Sequence, residues 1–375
     1  MRRGWWLIAA CVVATEVRSD DRFRFEPSLE VSEVADNNLN YSVDEPLRDR
    51  VHRITPTLAL RFESPRWRVR TGYSIDSERY ANHSTLDSNL ARARAVVGID
   101  YQAGPRLTLS MQGSYVDTNT LADLNVLTGL AASRVRGRQL TLDPSAAFRI
   151  SPRLIARVRA SSTTTNVVHG VGMRMQNQTL NLERRVTPRD LFSVDYEHSH
   201  LLFSGDANSQ TIDGHRLLAG WTRDLRAHDR LILQAGPRMT NHSRSADLAA
   251  SVTHRWRISS IGLSLVRNQA TVAGYADAVE MRSLQARFTI APNRRLTAYT
   301  QPAVIRSTSR PFEATVYRLS AGARYAISSL FDATVAYNHD SQKGAFDPMR
   351  PDANLSRATL SFGFAARWNN PESTR

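Results

Sequence analysis

The residues with the widest chemical range sit close together. Asp195-Tyr196-Glu197-His198 gathers titratable groups on one short segment, and His200 follows it. In an extended chain successive side chains alternate faces, so Asp195 and Glu197 share one face while His198 and His200 share the other. Two carboxylates on one face could do acid–base work, and two histidines spaced by two could seed a metal site. No third ligand accompanies the histidines, so they read as ordinary residues near a loop. The carboxylates read as partners for nearby arginines. The chain contains no GxxxxGK[ST], HExxH or GxSxG pattern. Its one cysteine, Cys11, lies in an N-terminal segment, so a processed chain has no disulfide, no thiol nucleophile and no cysteine zinc site. The expectation is a protein that is not an enzyme, with no cofactor and no metal.

A second pattern runs the length of the chain. Arginines recur at alternate positions: Arg66, Arg68 and Arg70, then Arg92 and Arg94, then Arg157 and Arg159. Later come Arg238, Arg255, Arg257, Arg287, Arg318, Arg324, Arg357 and Arg367. The 49 basic residues against 35 acidic ones give +14, and Lys343 is the only lysine. Such a balance fits nucleic acid, an anionic membrane surface or an anionic solute. Nucleic acid is disfavoured, because the arginines are spread over the whole chain instead of forming one patch interleaved with aromatics.

The residues between the arginines show what positions them. Trp67, Val69, Thr71, Tyr73 and Ile75 form one apolar face. Ala91, Ala93, Ala95, Val97, Ile99 and Tyr101 form the next, and Ala358, Leu360, Phe362, Phe364, Ala366 and Trp368 form the last. The period is two throughout, which is the period of strands with one apolar face. The runs are longer than the strands of ordinary soluble sandwiches and long enough to cross a bilayer. A mean hydropathy of −0.38 is compatible with this, because each strand of a membrane barrel shows lipid only every second residue.

Tight turns fall near Ser64-Pro65, Gly104-Pro105, Pro152-Arg153, Pro188-Arg189, His228-Asp229, Ser259-Ser260, Asn293-Arg294 and Ser328-Ser329. Between them lie longer polar segments such as Val34–Asp49, Ser77–Ser88, Asp117–Gly137 and Asp340–Ala353. Short and long connections alternating in this way predict an all-β, antiparallel up-and-down transmembrane barrel of 18 strands, with both ends on the short-turn side. Sixteen strands is the alternative, because Met173–Val186 and Leu263–Val272 are poorly patterned. A charge on the lipid face would cost about 2–4 kcal/mol at the midplane. The arginines are therefore expected to point into the lumen or to lie near a rim. There they either pair with acids and brace the wall, or create a field that favours anions.

The N-terminus reads as a secretory signal: Met1-Arg2-Arg3 followed by the apolar run Gly4–Ala14. That run is too short to span a membrane as a helix. Cleavage after Ala14 or after Ser19 is compatible with the residues, and Ser19 is favoured. Ile8-Ala9-Ala10-Cys11 leaves a lipoprotein reading open. The expected organisation is a signal peptide at 1–19 and a single barrel domain at 20–375. At the other end Thr359–Trp368 resembles the aromatic-terminated strand read by the barrel-assembly machinery, although Asn369–Arg375 follow it.

Phe25-Glu26-Pro27-Ser28-Leu29-Glu30-Val31 with Asp36-Asn37-Asn38, and Ile54–Ser64 followed by Arg66-Trp67-Arg68, resemble a known family. It is the family of outer-membrane β-barrel porins associated with exopolysaccharide and exosortase-linked gene clusters. The strand pattern implies the outer membrane of a Gram-negative bacterium; the resemblance implies passage of an exopolysaccharide through that membrane, and the basic lumen expected above adds that the cargo is anionic, polymer or small solutes. The resemblance also implies periplasmic or inner-membrane export components as partners. The competing expectation is a non-conducting structural or adhesive barrel, plugged by its N-terminal segment or by Val34–Asp49 and Asp117–Gly137 folded inward. A barrel enzyme using Asp195 and Glu197 is the third.

Overall fold

A computed structural model describes residues 23–130, 134–205, 210–241, 243–309, 311–345 and 353–368. The expected signal peptide and Asn369–Arg375 lie outside the described residues. Eighteen strands follow one another. They are β1 (Phe23–Asp36), β2 (Asp49–Glu63), β3 (Trp67–Tyr80), β4 (Ser88–Gln102), β5 (Leu107–Thr118) and β6 (Gly137–Ser151). Next come β7 (Leu154–Val167), β8 (Gly172–Arg185), β9 (Asp190–Ser204), β10 (Gln210–Arg226), β11 (Asp229–Thr240) and β12 (Arg244–Arg255). The last are β13 (Ser259–Thr271), β14 (Ala278–Ile290), β15 (Leu296–Ser309), β16 (Phe312–Ala326), β17 (Phe331–Lys343) and β18 (Asn354–Arg367).

Each strand pairs antiparallel with its sequence neighbours, and β1 pairs with both β2 and β18. The ring is therefore closed and has no edge strand, so the backbone hydrogen-bonds itself all the way round. A 14-residue strand rises roughly 46 Å at about 3.3 Å per residue. With the usual tilt of about 40° it stands roughly 35 Å tall, more than the apolar band of about 25 Å typical of such barrels.

One face of every strand carries exposed apolar side chains, among them Tyr73, Leu109, Leu140, Val158, Leu180, Val194, Leu265, Leu284, Tyr317 and Phe362. At the turn end this face carries aromatics. Trp67 stacks on Tyr101 with ring centroids 4.3 Å apart, and Phe192 stacks on Trp221 at 6.4 Å.

The expectation of strictly alternating short and long connections needs correcting. The loop-end connections at 168–171, 241–243 and 310–311 are as short as the turns. Their shortness has a local cause at one of them, where Thr240 and Ser243 exchange backbone and hydroxyl hydrogen bonds. What alternates is the end of the ring, not the length. The two poorly patterned segments are real strands, β8 and β13. Their pattern breaks because Arg174, Gln176 and Gln178, and Arg267 and Gln269, occupy outward positions near the loop end.

Candidate functional site

The inner face is defined by the third loop, 119–136, described at 119–130 and 134–136. It leaves β5 and crosses the ring. Near β5 a 3-10 turn, Leu121–Asp123, is held by Thr118 Oγ1 donating to Asp123 Oδ2 at 2.6 Å and by Arg92 Nη2 on β4 at 2.8 Å from the same carboxylate. Seven residues beyond that turn, Leu130 packs among Val279, Met281, Ala303, Ile305 and Val316 of β14, β15 and β16. Asn125 Oδ1 accepts a hydrogen bond of 2.7 Å from the Ala273 amide, beyond β13. Strands β4 and β14–β16 lie on opposite arcs of the ring, so the loop is a chord through the interior. The wall residues it touches have outward neighbours such as Leu284, Val304 and Tyr317.

Gly129 is where the chord meets the far wall. Its φ is +65°, and an added Cβ would lie 3.2 Å from Ile305 Cδ1 and 3.4 Å from Arg318 Nη2. A side chain there faces both a left-handed backbone and an occupied space. Thr128, Asn125 and Leu130 are almost fully buried. The first loop, 37–48, also turns inward. Leu39 packs with Val34, Val51 and Tyr80, and Tyr41 lies under the Arg357 guanidinium, 4.4 Å from the ring centroid. Burial pushes the Tyr41 phenol up to about 12, against the opposing pull of Arg357.

Strand register places Arg68 and Arg70 of β3, Arg92 and Arg94 of β4, Arg157 and Arg159 of β7 and Arg238 of β11 on this inner face. So are Arg255, Arg287, Arg318, Arg324, Arg357 and Arg367. Arg66 and Arg257 lie in turns at the rim instead. Many of the set are paired. Arg318 meets Asp340 at 2.7 Å, Arg324 meets Asp332 at 2.8 Å, Arg159 meets Asp143 at 2.8 Å and Arg157 meets Glu183 at 2.9 Å. Arg238 and Asp247, both buried, meet at 2.7 Å, and Arg357 meets Asp36 at 2.5 Å.

Others have no carboxylate within 4 Å among the described residues: Arg70, Arg94, Arg255 and Arg287. The set thus divides into arginines that brace the wall through carboxylates and arginines that do not. Sequence reasoning missed Arg24, Arg53, Arg61 and Arg216, which share the inner face. The alternation of Leu58, Leu60 and Phe62 around Arg61 carried that signal. Arg24, Arg61 and Arg70 stand directly opposite one another across β1, β2 and β3, with Glu26 alone reaching Arg61 at 3.2 Å.

The chemical candidates are separated by the same register. Asp195 and Glu197 face inward. Asn181 Nδ2 donates to Asp195, and Arg216 Nη2 lies 2.7 Å from Glu197. His198 and His200 face outward, where His198 stacks on His215 and His200 Nδ1 lies 2.6 Å from Asp213 Oδ1. Among the described residues no group of three histidines, cysteines or carboxylates could hold a metal.

Below the loops the interior is open to water: Val96, on the inner face of β4, is 56% exposed. The hollow beside it is lined by Arg70, Asp100, Gln112, Thr141 and Asp143. The molecule therefore combines a hollow below the loops with a narrowing at the loop end.

No family model matches the sequence, and no curated protein matches it either. Solved structures do match the fold. OpdO of Pseudomonas aeruginosa is 9% identical, with 93% of this chain and 98% of that one covered and a TM-score of 0.52. OpdK of the same organism, solved with vanillate, is 9% identical, covers 92% and 99% and has a TM-score of 0.51. OccK11 (OpdR), also from Pseudomonas aeruginosa, is 12% identical, covers 92% and 96% and has a TM-score of 0.50. The fold of this chain is the closed 18-stranded antiparallel barrel of outer-membrane porins.

Proposed function

We propose that this protein resides in a bacterial outer membrane and conducts anionic solutes, with an anionic exopolysaccharide as its largest cargo. The observation that carries the reading is the inner row Arg24, Arg61 and Arg70, three guanidiniums with one carboxylate between them, on a wall that water reaches. Clefts lined by one sign of charge raise the local concentration of the opposite ion, and a ring of 18 strands is wide enough for an aqueous path. The similar OpdK barrel was solved with vanillate, a carboxylate, which accords with an arginine-lined path. The sequence resemblance to exopolysaccharide-linked porins extends the reading from small anions to polymer. Export components in the periplasm or inner membrane are then its partners, and the barrel-assembly machinery inserts it.

Refolded protein in a planar bilayer tests the proposal. The expected result is a conducting pore with anion over cation selectivity, reduced by small polyuronates added on the turn side. A pore that prefers cations overturns it.

The inward third loop favours a second reading, a structural barrel closed by that loop. No conductance at all, from protein shown to be folded and inserted, supports this reading against the first.

A further inference from the structure

The outward face carries polar and charged residues near the loop end at several places, and at one of them the charges form a continuous row. Three successive register rows on β13–β17 read, from the middle of the barrel toward the loops, as follows. The first is apolar: Leu265, Leu284, Val304 and Tyr317 stand opposite one another. The next row is Arg267, Arg282, Arg306, Thr315 and Lys343, each directly opposite its neighbour on the adjacent strand. Above it stand Gln269, Glu280, Thr308 and Glu313, and above those the loops. The basic row therefore lies on the boundary where the outward apolar band ends.

Like charges directly opposite one another destabilise a sheet. Here Glu280 is shared by Arg267 at 3.0 Å and Arg282 at 2.9 Å, and Glu313 meets Arg306 at 2.7 Å. Two carboxylates thus face four cations. Side-chain exposures of 58% for Arg282 and 53% for Arg306 leave guanidinium donors free on the outward side, and each guanidinium carries five N–H groups in a fixed fork. Lys343 Nζ lies over the Tyr317 ring at 5.9 Å, on the apolar side of the row.

We propose that this row is a binding site for the phosphorylated headgroup of an outer-leaflet glycolipid, whose acyl chains lie along Leu265, Leu284, Val304 and Tyr317. Phosphate is the anion that arginine forks match. Four strand spacings of about 4.8 Å make the row roughly 19 Å wide, enough for two phosphates on one sugar headgroup. The position at the edge of the apolar band selects a lipid over a free anion, because only a lipid brings hydrocarbon to the row below. The site rests on the membrane reading given above but not on conduction: a barrel that passes no current can still hold the lipid.

The test uses the full chain in nonionic detergent micelles, titrated with bisphosphorylated lipid A and with its dephosphorylated form, and read by native mass spectrometry. Bisphosphorylated lipid is expected to stay bound, with at least a tenfold preference over the dephosphorylated form. Combined Arg267→Gln, Arg282→Gln and Arg306→Gln is expected to weaken it at least tenfold. Heat-modifiable gel mobility reports whether the variants fold, and Arg282→Gln alone serves if the triple variant does not. Arg136→Gln with Arg138→Gln, elsewhere on the outer rim, is expected to leave binding unchanged. Equal retention of both lipid forms, or unchanged binding by the folded variants, overturns the site. So does displacement by millimolar inorganic phosphate alone, which would make it a free-anion site.

Discussion

Removing the Leu130 side chain should loosen the constriction. Leu130 is the apolar end of the chord, 3% exposed and packed against Val279, Met281, Ile305 and Val316. Burying a leucine contributes about 1.5–3 kcal/mol, and Leu→Ala at such sites costs about 2–5 kcal/mol where the surroundings cannot close the gap. A loop can move to close part of it, so the low end, about 2–3 kcal/mol, applies to Leu130→Ala. At about 1.4 kcal/mol per factor of ten, the ratio of docked to undocked loop falls roughly 30- to 140-fold. At the near end, Arg92 meets Asp123 at 2.8 Å with side chains only 18% and 28% exposed, so this pair contributes more than the roughly 1 kcal/mol of a surface pair. Asp123→Asn should therefore loosen the near end, and Leu130→Ala with Asp123→Asn should exceed Leu130→Ala. The assay is single-channel recording of refolded protein. Leu130→Ala is expected to add longer dwell at a larger conductance level and more current noise. If the folded variant keeps the wild-type level and noise, the third loop does not set the narrowing and the reasoning is wrong.

Arg70→Gln with Arg94→Gln should lower the anion-to-cation permeability ratio severalfold without changing pore size, read from reversal potentials in a salt gradient; an unchanged ratio refutes a role for these unpaired groups. Arg238→Gln takes from Asp247, 4% exposed, its cation at 2.7 Å and leaves it Arg216 at 3.5 Å. Breaking a buried pair outright costs about 3–5 kcal/mol and Arg216 offsets part of that, so the unfolding midpoint in urea should drop, whereas Arg159→Gln, whose arginine is half exposed, should scarcely move it. Tyr41 ionises at about 12 in the folded protein against an ordinary 10.0. The fold thus favours the neutral phenol: the associated stability is complete below pH 10 and is lost as pH rises toward 12. An ultraviolet phenolate titration of wild type against Tyr41→Phe reads this, and loss of a group titrating at the ordinary value would refute the buried placement.

Much of the architecture is legible in the chain because a strand's side-chain period is two and cannot be confused with a helix over 14 residues. Trp67 to Ile75 and Ala358 to Trp368 mark strands without ambiguity, and the turns point to 18 strands with 16 left open, a choice the closed ring decides for 18. The inward placement of Arg68, Arg70, Arg92 and Arg94 follows from the same alternation. It failed where the alternation itself weakens. Met173–Val186 and Leu263–Val272 were doubtful because outward Arg174 and Arg267 lie beyond the apolar band, where charge costs little.

The sequence by itself determined which residues share a face, because that depends only on neighbours along one strand. It could not determine which residues meet across strands, because cross-strand partners depend on the stagger of the closed ring. Arg267, Arg282, Arg306 and Lys343 are spread over 77 positions of the chain, yet register sets them in one row. The third loop shows the same limit. Leu130 and Val316 meet only because the ring brings β16 across from β5, and nothing local to either residue encodes that distance.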